Sequence, residues 1–138
     1  AVSVIAGIMK PEDIIQYLGL PWIEGQRDCW LFFREIQAKH YGRTVPIVDV
    51  DVMDIRDVIH KVDAEKKAHW EQIGKPEDGC AVLMSRNRYP VHIGMWLDID
   101  GGKVLHCAQG MGVVFQNRQA LKFDGWTGIT YWRFAGKN

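Results

Sequence analysis

The sequence predicts an α+β fold, with helices first and an antiparallel sheet after them, on three observations. Phe32, Phe33 and Ile36 follow Cys29 at three, four and seven positions, the stripe of one helix face. Beyond Pro76 and Gly79 the pattern becomes short β-rich runs separated by glycines and polar turns. Helices followed by strands, rather than alternating with them, argue against a parallel βαβ sheet. With 138 residues, 47% hydrophobic and 25% charged, one domain over 1–138 is expected to bury one core.

The elements follow in order. Pro11 suits a first helical position, Glu12 and Asp13 a first turn, and Gly19 the end of a short helix through Ile14, Ile15 and Leu18. Pro21 to Arg27 reads as a loop, and the helix that starts at Cys29 runs to about His40. Residues 45–75 read as a charged insertion, helical over Asp54 to Gln72. The strands are then Cys80 to Met84, Val91 to Leu97, Lys103 to Cys107, Val113 to Phe115 and Ile129 to Phe134.

Lys plus Arg and Asp plus Glu each number 17, so no net field favours nucleic acid or an anionic membrane. The apolar stretch Ala1 to Met9 is short for a signal peptide and has no basic segment before it, so neither an export signal nor a membrane span is expected. Cys29, Cys80 and Cys107 are an odd number without a C-x-x-C pair, which leaves at least one free thiol and no expected metal site.

Cys29 stands where a helix begins, and a thiol there feels the partial positive charge of unpaired N–H groups, which favours thiolate. Its own backbone N–H is placed to stabilise an oxyanion. Along Val91 to Leu97 side chains alternate, so His92, Gly94 and Trp96 share one face and Ile93, Met95 and Leu97 the other. Gly94 lets another element approach His92, and the helix carrying Cys29 is expected to do so. The loop at Asp100-Gly101-Gly102 decides what joins His92: a two-residue loop selects Cys107, a three-residue or bulged loop His106. His40, His60 and His69 read as surface groups, most aromatics as core, and Arg86, Asn87 and Arg88 as a solvated turn rather than contacts to an acidic substrate.

The motifs resemble those of NlpC-type papain-like cell-wall cysteine peptidases, especially the bacteriophage tail-associated branch. Pro21-Trp22-x-x-Gly25-x-x-Asp28-Cys29-Trp30 is similar to that family's loop into the nucleophile helix. Pro76-x-Asp78-Gly79 resembles its lead into the first sheet strand, with Cys80 where Asp is usual. Val91-His92-Ile93-Gly94-Met95-Trp96 and Val104-Leu105-His106-Cys107-Ala108 resemble its two histidine strands. The likeness runs from about Pro11 to Phe134. It departs at Trp30-Leu31, where Ser-Gly is commoner.

The resemblance implies a papain-like fold with Cys29 as nucleophile, His92 as base and His106 as the residue that orients it. Trp22 and Asp28 are implied near the oxyanion or substrate. The implied reaction is hydrolysis of an amide bond in the peptidoglycan stem peptide, near a D-amino acid, with no metal or organic cofactor. A phage tail particle, with tail-tip or hub proteins as partners, is the implied carrier of a domain made in the host cytoplasm and acting in the cell wall to aid genome delivery. The rival readings are a structural tail or hub protein without useful activity and an acyltransferase. The order Cys29, His92, His106 argues against the latter, because related acyltransferases place their histidines before the cysteine.

Overall fold

The computed structural model describes residues 9–45, 55, 59, 69–86 and 91–135. Two helices lead: α1, Pro11–Ile15, and α2, Cys29–Tyr41. Then come β1 Trp70–Ile73, β2 Ala81–Ser85, β3 His92–Leu97, β4 Lys103–Ala108, β5 Gly112–Gln116, α3 Arg118–Phe123 and β6 Thr127–Phe134. The strands form one six-stranded sheet in the order β1-β6-β2-β3-β4-β5, every pairing antiparallel. The α+β expectation therefore holds.

α2 begins at Cys29 because Asp28 caps it, its carboxylate accepting the Leu31 N–H at 2.8 Å. It ends where Gly42 turns left-handed, φ 64°. Trp30, Phe32, Phe33 and Ile36 are buried in one core cluster with Ala81, Leu83, Ile93, Met95, Leu97, Leu105 and Cys107. α2 thus covers the sheet face bearing the odd-numbered residues of β2, β3 and β4. The other face carries Val82, Met84, Trp96 and Val104, packed with Leu121 of α3 and with Trp126.

Two elements depart from the sequence reading. Residues 70–72, placed there in a charged helix, form with Ile73 the edge strand β1, because Trp70 packs against Phe33 and Phe134 while Gln72 pairs with Trp132. Six-residue α3 carries too short a pattern to be anticipated, and Asn117 caps it through the Ala120 N–H. Within the rest of the expected insertion, Ile55 and Ile59 are helical and buried, and its other residues through 68 lie outside the described set, apart from Val45. His40, expected at the surface, is half-buried and hydrogen-bonded through Nε2 to the Tyr17 hydroxyl at 2.8 Å.

The hairpin between β3 and β4 resolves the register. Leu97 pairs with Lys103 and Gly94 with His106, so residues 98–102 make the turn. Asp100, Gly101 and Gly102 all have positive φ, at 52°, 82° and 98°, a backbone that glycine adopts without strain. This longer loop puts His106 beside His92. Cys107 faces α2, buried in the core.

Candidate active site

His92 opens β3, pairs across β2 with Met84, and is 7% exposed; His106 in β4 is fully buried. Gly94, opposite His106, makes the approach possible: a Cβ there would lie 2.8 Å from the His106 Cβ and 2.8 Å from Val104 Cγ1. The ring nitrogens His92 Nε2 and His106 Nδ1 are 2.8 Å apart. His106 Nε2 lies 2.8 Å from Gln116 Oε1, and Gln116 Nε2 donates to Asp124 Oδ2 at 2.6 Å. Gln116 reaches this line from the end of β5, where it pairs with Val104, and Asp124 from the C-cap of α3.

The chain has a direction. A carboxylate only accepts, so Asp124 holds the Gln116 amide with its NH₂ outward and its carbonyl toward His106. That carbonyl requires the proton of His106 on Nε2, which leaves Nδ1 as an acceptor. His92 must then donate from Nε2, and its Nδ1 is left with a free lone pair. Three side chains, Asp124, Gln116 and His106, thus fix the tautomer of the His92 imidazole.

Burial keeps both rings neutral. It drives His92 well below the ordinary imidazole range, with the neighbouring His106 and the Arg86 cation acting in the same direction. It takes His106 down to about 4, against the opposing effect of the bond to Gln116. The His92 ring is also stacked on Trp126, 4.5 Å between centroids and 17° between planes.

Cys29 arrives at the start of α2. It belongs to the cluster beneath α2, and its sulfur lies within hydrogen-bonding range of the backbone N–H groups of Ile93 and Trp30. The β3–β4 ladder ends at Gly94 and His106, so Ile93 lies just beyond it. The thiol thus meets β3 at the residue that follows His92. His92 and His106 come together by a hydrogen bond, whereas Cys29 meets β3 through its backbone.

The expected thiolate is not what this setting favours. Burial raises the Cys29 thiol to about 12, outweighing the lowering by the two N–H groups, and the nearby Asp28 and Cys107 add to the rise. A helix start helps a thiolate only where water or a cation also reaches it, and Cys29 is 9% exposed. Cys80 and Cys107 are free and buried as well, each raised to about 11 chiefly by burial. Cys107 is further engaged, its thiol donating to the Arg27 carbonyl at 3.4 Å.

Asp28, implied near the substrate, is buried and occupied in capping α2. Trp22 is partly buried against the α2 cluster. Gln116 and Asp124 went unanticipated, yet alternation along β5 would have put Gln116 on the His106 face once the β4–β5 register was known. Among the described residues no group of three His, Cys, Asp or Glu is arranged to hold a metal. An open depression of about 480 Å³ lies at the far end of the same sheet face, between the Asp100 turn and the start of α3, lined by Trp96, Gly102, Asn117 and Arg118. Comparisons with family models, curated proteins and solved structures found no match to this chain.

Proposed function

We propose that the chain is a cysteine peptidase of papain-like architecture, acting on amide bonds of the peptidoglycan stem peptide as part of a phage tail. The directed chain from Asp124 through Gln116 and His106 to His92 carries this reading, because it delivers an imidazole lone pair at Nδ1 in a dry site. A structural histidine pair has no need of a fixed direction, whereas a general base does. The motif resemblance supplies the substrate class.

The mechanism starts from two neutral groups. As the thiol attacks the scissile carbonyl, its proton passes to His92 Nδ1, and the imidazolium is stabilised through its Nε2–H bond to His106. His92 then returns that proton to the leaving amine, which separates from the Cys29 thioester. Water deprotonated by His92 attacks the thioester and releases the acid, while the proton restores the thiol. The Cys29 backbone N–H serves the oxyanion in both halves.

A second reading, a structural tail or hub protein of the same fold without turnover, is favoured by the burial of Cys29 and the raised thiol. Digestion of purified peptidoglycan, with mass analysis of the fragments, separates the two. The peptidase reading expects new amine and carboxyl ends from the natural chain and none from Cys29→Ala or His92→Ala. Intact stem peptides after prolonged incubation with folded natural protein would leave the structural reading standing.

A further inference from the structure

We propose that Arg86 and Trp126 form a carboxylate-binding subsite beside His92, selecting substrates that carry a free carboxylate next to the amide attacked. The proposal rests on the peptidase reading for its substrate, but not for its chemistry of binding. Among the described residues, two buried side-chain N–H groups lack a hydrogen-bond partner: Arg86 Nε and Trp126 Nε1. Orphaned buried donors are rare, and two on residues in mutual contact are not independent accidents.

The two side chains are layered. The Arg86 guanidinium carbon lies 4.0 Å from the Trp126 ring centroid, and Trp126 in turn stacks on His92. Trp126 is 6% exposed, and the half-buried Arg86 stem crosses Gly125, where an added Cβ would sit 3.5 Å from its Cγ. Among the described residues Arg86 has no ion-pair partner. Asp124, two positions before Trp126, is already engaged by Gln116.

The group that fits these donors is an anion with two acceptor oxygens in one plane. A guanidinium recognises a carboxylate by charge and geometry together, and the indole N–H adds a neutral donor. A hydroxyl or amide oxygen offers one acceptor and no charge. A carboxylate here would also oppose the Arg86 field that depresses the basicity of His92, so occupancy and activation of the base would go together.

The test is a titration of the full natural chain with N-acetylglycine and, separately, N-acetylglycinamide, followed by the Trp126 indole N–H resonance. The acid is expected to shift that resonance and to bind about tenfold or more tightly than the amide. Arg86→Met should abolish the difference, and Trp126→Phe, which keeps the stack without the N–H and is therefore read by calorimetry, should reduce it. Equal binding of acid and amide by the natural chain overturns the subsite, as does an undiminished acid preference in folded Arg86→Met. The natural-chain comparison stands even if a variant fails to fold. Because binding is read without turnover, a chain that never cleaves peptidoglycan can still support the subsite, and a peptidase indifferent to the carboxylate sinks it alone.

Discussion

Replacing Gln116 by Leu should invert the histidine chain. The substitution removes the oxygen that accepts the His106 Nε2 proton at 2.8 Å, leaving a donor unpaired in a fully buried ring. Such a loss costs about 1–3 kcal/mol. Unfolding 138 residues carries an entropy of about 0.3 kcal/mol/K, so Tm should fall by about 3–10 °C. His106 has a way to reduce that cost. By moving its proton to Nδ1 it exchanges an orphan donor for an orphan acceptor, which buried sites tolerate better. His106 then donates to His92 Nε2, and the proton of His92 is forced onto Nδ1, where the base should have its lone pair. Long-range proton–nitrogen correlation spectra of the imidazole rings near neutral pH distinguish the tautomers directly. The natural chain should show both histidines protonated on Nε2, and Gln116→Leu should show His92 protonated on Nδ1. On the peptidase reading, turnover should fall far more than substrate binding, because a base is needed only in the transition state. A natural His92 already protonated on Nδ1, or a tautomer unmoved by Gln116→Leu, would refute the directional chain.

Other outcomes follow from burial. His106, near 4 when folded against an ordinary 6.5, takes up fewer protons folded than unfolded, so its contribution is complete above pH 6.5 and is lost as pH falls toward 4. That loss is about 3 kcal/mol, with His92 adding in the same direction, and urea midpoints between pH 7 and 4.5 should decline less steeply in His106→Gln. With its thiol raised to about 12, Cys29 should react with iodoacetamide at pH 8 about a thousandfold more slowly in the folded than in the unfolded chain; rapid labelling when folded would mean a preformed thiolate. Gly94→Ala would press a methyl against His106 and Val104 and should cost about 1–3 kcal/mol while weakening the pair, checked by Tm and by the histidine ring resonances.

The strands β2 to β5 were legible because each has one face toward α2 and one toward α3, so their alternation is written in residue type. The start of α2 was equally plain, since Asp28 is a cap and Cys29 begins the stripe. β1 was hidden because Glu71 is exposed at an edge and its charge imitates a helix surface. The pair His92 and His106 was visible as two candidates, but their joining waited on the turn at Asp100, which spacing alone left open. Nothing in the residues near either histidine pointed to Gln116 or Asp124, whose relevance depends on which strand lies beside β4. The thiol was misjudged because a helix start can be read from a sequence and the dryness of its surroundings cannot.

The side chains that hold Cys29 cluster under α2, and those that surround His92 cluster with Trp126 on the other sheet face, so the thiol and the imidazole rest on two separately tunable groups of residues. Residues under α2 can be exchanged to adjust how Cys29 is held without touching the proton chain, and residues around Trp126 can reshape the histidine side without loosening the core. Paired substitutions, one in each group and well separated, should add in their effect on stability. Departure from additivity should concentrate at Ile93 and its two sequence neighbours, where both groups share a backbone. Selection acting on such a molecule could vary what it recognises and how firmly it folds along nearly independent axes.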